Sequence, residues 1–194
     1  MGRQRNFDRQ QVVDRAMRLF WAQGYDRTSI QELVDAMGIS RGSLYATFGD
    51  KEQLYLTSLE CYIDSSESNR RELLNSENPA HEILTAYLNS LFDFAIGEGR
   101  QLGCLVTNSS VEFSPRRGKV YQRLRQVVEG METRFEQLIR RAQQEGDISA
   151  EKDPQTLAHF LICQIQGLRV LTRAYPEDEA RLRNAVKVTL SALS

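Results

Sequence analysis

The stretch Thr28–Leu54, TSIQELVDAMGISRGSLYATFGDKEQL, leaves this chain fewer choices than any other. Ser29 is placed to cap a helix, and Glu32, three residues on, completes a reciprocal capping box. Ile30, Leu33, Val34 and Met37 give that helix one apolar face at helical spacing. Gly38 follows, where a left-handed backbone costs a glycine nothing. Ile39 plugs the angle between helices, and Ser40 is placed to cap a second helix from Arg41 to about Phe48. Leu44 and Phe48, four apart, anchor that helix inward. Arg41, Gly42, Ser43, Tyr45, Ala46 and Thr47 are left for solvent or a partner. Asp50 then caps a further helix that opens at Lys51.

Two short helices joined in this way form a helix-turn-helix, whose second helix enters the major groove of DNA. A tyrosine beside an arginine, two hydroxyls and a glycine suits close approach to phosphates and base edges. On this reading Arg41, Ser43 and Thr47 face bases, Thr28, Ser40, Tyr45 and Lys51 contact phosphates, and Gly42 permits close approach. The spacing by itself also fits a helical hairpin packed on a larger domain, its polar residues facing water.

The same stretch resembles the DNA-binding segment of the tetracycline-repressor (TetR/AcrR-like) family of bacterial one-component regulators. The residues that carry the resemblance run from Phe20, Gly24 and Tyr25 through Thr28, Ser29, Ile30, Leu33, Gly38, Ile39 and Ser40. They continue through Gly42, Leu44, Tyr45, Phe48, Lys51 and Glu52 to Leu54. Thr47 departs from the histidine common at its place, and Ala36–Met37 from the more usual small pair before the turn. The resemblance implies a repressor that binds a pseudo-palindromic operator on double-stranded DNA as a homodimer. It also implies an effector cavity inside the larger domain, where a ligand lowers DNA affinity. Suitable lining for that cavity is Tyr62, Tyr87, Phe92, Cys104, Phe113, Tyr121, Leu124, Phe160, Gln164 and Gln166. No charge cluster stands out there, so the expected effector is apolar or aromatic rather than a polyanion. Aromatics at helical spacing are also what an ordinary core uses.

Charge fits a small DNA-facing patch on an acidic body. Residues 1–51 hold eight Arg/Lys and six Asp/Glu, a net +2, and residues 52–194 hold seventeen and twenty, a net −3. No run approaches the roughly 18 apolar residues of a membrane span, and the N-terminus MGRQRNF lacks a signal-peptide core. A cytoplasmic protein is expected. Cys61, Cys104 and Cys163 show neither metal-ligand spacing nor a disulfide framework, and no cofactor or metal is expected. His81 and His159, the two histidines, have no carboxylate pair or nucleophile elbow beside them, so an enzyme is not expected. His159 reads as a pocket or packing residue.

Periodicity along the remainder predicts an all-α chain. A helix over 8–23 precedes the helix-turn-helix, and the arm before it carries Arg3 and Arg5, placed to touch a minor groove. Further helices are expected over 51–75, 80–95, 104–113, 119–144, 154–174 and 176–193. Residues 1–49 are then a three-helix head, and residues 50–194 an effector-binding and dimerisation body. Leu157, Phe160, Leu161, Ile165, Leu168 and Leu171, with Leu182, Val186, Val188, Leu190 and Leu193, give the last two helices more apolar surface than one core needs. Half of a dimeric four-helix bundle accounts for that surplus.

Cys104 supports a second reading. It follows Gly103 at the start of a helix, where free amides and the helix dipole favour a thiolate. The segment from Gly103 to Glu112 is similar to a Gly-Cys motif in family members that sense electrophiles or oxidants. A buried packing cysteine is the competing reading. A third possibility is a helical ligand-binding or interaction protein without an operator.

Overall fold

A computed structural model of the protein describes residues 8–97, 100–113, 118–175 and 177–193, with the side chains of 66–71 left aside. Among them the chain forms helices α1 Arg9–Gln23, α2 Ile30–Met37, α3 Arg41–Phe48, α4 Lys51–Leu74 and α5 Ala80–Ile96. These are followed by α6 Leu105–Phe113, α7 Lys119–Glu145, α8 Pro154–Ala174 and α9 Glu179–Leu193. The all-α expectation holds, with a helix-turn-helix head on a larger helical body. The basic arm with Arg3 and Arg5, and the expected helix start at Pro176, lie outside the described residues.

The helices begin where polar side chains absorb their free amides. Asp8 accepts from the Gln10 N–H at 2.9 Å, and Asp153 from the Thr156 N–H at 2.8 Å with Pro154 at the first helical position. The N-terminus of α5 has no side-chain cap of its own; Glu145, from the end of α7, accepts its Ala80 N–H at 2.6 Å. A carboxylate far along the chain thus finishes a helix that the local sequence leaves open.

Buried apolar residues form two cores. The first joins α1, α2, α3 and the N-terminal half of α4 to α6 and the start of α7, with Phe20, Leu33, Leu44, Leu54, Tyr62, Phe113 and Leu124 all in one cluster. It is aromatic in character. The Phe20 and Tyr55 rings meet edge-on at 4.8 Å, Trp21 and Tyr62 at 5.0 Å, and Tyr25 packs on Phe113 at 5.0 Å. The second core, built by α5, the rest of α7, α8 and α9, is mostly aliphatic, with Ile83, Leu91, Ile139, Leu161, Ile165 and Leu182 in its centre. Burying each such side chain contributes about 1.5–3 kcal/mol. The first core runs straight through position 49, so the head packs on α4 and α6 without a private core.

Helix α4 ties the two together. Its N-terminal half supplies Leu54, Leu59 and Ile63 to the first core, and Leu73 and Leu74 at its end pack against the second. At 24 residues it is roughly 36 Å long. Midway, Glu60 and Arg123 of α7 form a two-pronged ion pair, with Nη2 to Oε2 at 2.8 Å.

Candidate nucleic-acid interface

The turn between α2 and α3 is built from the residues that predicted it. Ser29 Oγ accepts the Glu32 N–H at 3.2 Å while Glu32 accepts the Ser29 N–H at 2.8 Å, closing the capping box. The Ser29 side chain, and after it the Ser29 backbone N–H, hold the Glu32 carboxyl below its ordinary pKa. Gly38 ends α2 with φ +68°, a conformation that strains any residue with a Cβ. Ser40 then caps α3 through the Ser43 N–H at 3.1 Å, and the two hydroxyls lie 2.8 Å apart.

Helix α3 is anchored as expected. Leu44 is fully buried and Phe48 nearly so, while Arg41, Gly42, Tyr45, Ala46 and Thr47 are exposed and Ser43 is half-buried. Tyr45 is a large ring left 43% exposed on a small head. Gly42 needs no glycine for internal reasons. Its backbone is not left-handed, and a Cβ there would meet only Ser40 Oγ at 3.9 Å. Lys51 lies half-buried at the start of α4, its Nζ 4.4 Å from the centre of the Tyr25 ring.

Thr28 and Ser40 differ from the rest of the expected phosphate set. Thr28 is fully buried and its hydroxyl donates to the Gly24 carbonyl at 2.6 Å, so it braces the turn after α1. Ser40 is exposed, with its hydroxyl engaged in the cap. Exposure therefore spreads Arg41, Gly42, Tyr45, Ala46 and Thr47 over the outer arc of α3, away from Leu44 and Phe48, with Ser43 half-buried among them.

The expected effector lining is spread over both cores. Tyr62, Cys104, Phe113 and Leu124 belong to the first, with Tyr121 packed beside them; Tyr87 and Phe92 belong to the second, with Phe160 packed beside them. No single cavity among those described unites them. Tyr121 and Leu124 line a groove of about 340 Å³ on α7, and Gln164 is half-buried on α8. Burial pushes the Tyr62 hydroxyl pKa up, with the neighbouring Cys104 thiol adding to it. His159 is exposed, and His81 pairs with Asp147 at 2.9 Å on the surface. Cys104 stands directly before α6 and its carbonyl accepts the Asn108 N–H at 2.9 Å, the helix-start position that was expected, with the side chain 1% exposed.

A different cleft, of about 560 Å³, opens where α1 and its following turn meet α6 and the end of α8. At its edge Glu112, on α6, accepts the N–H of Tyr25 at 3.0 Å and of Asp26 at 2.8 Å. A carboxylate holding two consecutive amides fixes the turn that leads into α2. Sequence reading passed over Glu112 and Trp21 as site residues. Glu112 looks like any acidic residue on an amphipathic helix, and only the fold brings it to a turn 87 positions earlier.

A family model described as "Bacterial regulatory proteins, tetR family" matches residues 12–57. A second, "Tetracyclin repressor-like, C-terminal domain", matches residues 80–188. The HTH-type transcriptional repressor ComR of Escherichia coli is 32% identical over 173 residues, covering 89% of this chain and 82% of that protein. An uncharacterized HTH-type regulator of Bacillus subtilis, YezE, is 28% identical over the full length of both. Among solved structures, a cysteine-substituted TetR family regulator, CifR, complexed with 26-base-pair double-strand operator DNA is similar with a TM-score of 0.87 and 30% identity, each chain fully covered.

Proposed function

Because the chain belongs to the TetR family of bacterial transcriptional regulators, we propose that it is a DNA-binding repressor that a small apolar or aromatic effector releases from a pseudo-palindromic operator. The observation that carries the DNA reading is the outer face of α3, where Arg41, Gly42, Tyr45 and Thr47 stand exposed on a helix whose opposite side is buried. Arg41 and Thr47 read base edges with Ser43 beside them, Tyr45 and Lys51 engage phosphates, and the chain at Gly42 lets the backbone come close. CifR, similar along the whole chain, is seen on operator DNA, which supports the same docking here.

Two heads are needed to read two half-sites, and the body offers a surface for pairing them. Along α8, Cys163, Gly167, Val170 and Ala174 are exposed in one stripe of mostly small residues. Val188, on α9, is 68% exposed. Small side chains let helices approach closely, which supports a homodimer through α8 and α9. Operator binding measured by fluorescence anisotropy tests the reading. Arg41→Ala is expected to lose about 1–3 kcal/mol on the cognate sequence and little on random DNA. Equal losses on both would remove Arg41 from base reading.

The thiol-sensing reading has the position of Cys104 before α6 in its favour and its burial against it. Thiol alkylation of the native dimer is expected to reach half-buried Cys61 before buried Cys104, with Cys163 shielded by the proposed pairing of α8. Mass spectrometry of partial labelling reads that order, and Cys104 reacting first would favour the sensor.

A further inference from the structure

The cleft between α1, α6 and the end of α8 has the size of a ligand site, about 560 Å³. Phe20, Trp21, Tyr55 and Leu105 supply aromatic and aliphatic wall. The charged side chains that border it are Asp26 and Glu112 against Arg27 and Arg173, so their charges cancel and no net field favours an ion. Glu112 is already committed to two backbone amides. The neutral polar groups of the wall are paired as well. Tyr55 and Ser109 share a hydrogen bond of 2.6 Å, Thr107 donates to Gln166 at 2.6 Å, and Asn108 donates to the Leu102 carbonyl at 2.8 Å. Trp21 is the exception. It is 3% exposed, and its indole Nε1 finds no acceptor among the described residues. A buried donor left unpaired is costly, and an acceptor brought by a ligand removes that cost.

We infer that this seam cleft binds a flat, uncharged aromatic compound with one hydrogen-bond acceptor, such as a carbonyl, which Trp21 Nε1 engages. Resting on the repressor reading above, the inference assigns that compound as the effector and the cleft as its site. The mechanism follows from what surrounds the site. Glu112 holds the turn after α1, and a Cβ built on Gly24 would stand only 3.2 Å from its carboxylate. A guest wedged between Trp21 and α6 acts directly on this clamp, the place where the body sets the angle of the head. Moving that angle changes the distance between two heads in a dimer.

The test uses the full-length protein and a matched pair of probes, 2-acetylnaphthalene and 2-ethylnaphthalene, alike in size but differing in the carbonyl acceptor. Trp21 is the single tryptophan of the chain, so its fluorescence reports on the site without labelling. Calorimetry gives affinities in wild type and in Trp21→Phe, which keeps the ring packing and removes the donor. The expected result is quenching of Trp21 by 2-acetylnaphthalene and binding about ten-fold tighter than its partner, a margin that Trp21→Phe erases. Val111→Phe, at the exposed rim on α6 and away from the α8 stripe, is expected to exclude both compounds while leaving thermal unfolding unchanged. Absence of heat and of quenching, or a ten-fold margin that survives Trp21→Phe, overturns the assignment. Operator affinity measured in the same samples separates the two ideas. Trp21-dependent binding that leaves operator affinity untouched upholds the site and sinks the release reading. Release that persists in Trp21→Phe but vanishes in Tyr121→Ala keeps the release reading and moves its site to the groove on α7.

Discussion

The contacts that aim α3 and the contacts that hold the head to the body span very different lengths of chain. Ser29 meets Glu32 and Ser40 meets Ser43, each three residues apart, and Gly38 returns its N–H to Val34. At the seam, Tyr25 and Asp26 meet Glu112 across 87 and 86 positions, and Trp21 of α1 packs against Tyr62 of α4. The first set is a device that a short peptide sequence encodes. The second exists only after α4 and α6 have docked on α1. The difference teaches that the recognition turn and its seam with the body are encoded on separate scales: the turn can stay constant while the seam is altered by changes far along the chain.

The largest effect that would break the comparison is the loss of the anchor both regions share. Leu44 is fully buried in the core that joins α3 to α4 and α6. Leu44→Ala is expected to cost about 2–5 kcal/mol in chemical denaturation. A cost below 1 kcal/mol would mean that the head is not bound into this core.

Glu112→Ala sharpens the comparison from the seam side. It removes the acceptor for two amides, with an expected cost of about 1–3 kcal/mol. Because α2 and α3 keep their own caps, the recognition helix is expected to stay folded while amide exchange at Tyr25 and Asp26 accelerates. Protection at those two amides unchanged in the variant would show that the clamp is not what orders the turn.

Ser29→Ala probes the local set, and its effect is smaller, about 1 kcal/mol. It also carries a pH signature. Glu32 has a folded pKa held below its ordinary value by the Ser29 bonds, so its contribution is present above the ordinary carboxylate pKa and is lost as pH falls through the folded value. Wild type minus variant stability, followed by denaturation against pH, should shrink on acidification. A difference that is flat with pH would assign the stability to the Ser29 hydroxyl alone.

Gly42→Ala is the smallest change in the fold and separates folding from function. With no internal clash and a better helix former in place, stability should rise by up to about 1 kcal/mol. Operator affinity should fall, because the added methyl stands on the face proposed to meet DNA. A stabilised variant with unchanged operator affinity would place Gly42 away from the backbone of the DNA.

What was legible in the sequence follows the same division of scales. The nine helices described here fall close to where hydrophobic period, caps and glycines put them, and Arg41, Gly42, Tyr45 and Thr47 are exposed as read. Thr28 read as a phosphate ligand because a hydroxyl before a recognition unit suits one; its burial depends on Gly24 offering a carbonyl to it. The aromatic residues expected to line one cavity are divided between two cores, since period says that a face is buried and not which neighbour covers it. The cleft at the seam had no local signal at all. Its walls come from α1, α4, α6 and α8, and no window of the sequence contains them together.

The central claim, that the outer face of α3 reads a two-fold operator, is tested most directly by selecting genomic fragments with the purified full-length protein at fixed salt and sequencing those retained. The account predicts a pseudo-palindrome with half-sites about 34–36 Å apart or a multiple of that spacing, lost when Arg41→Ala replaces wild type. Fragments retained without shared sequence, with retention governed only by salt, would contradict it.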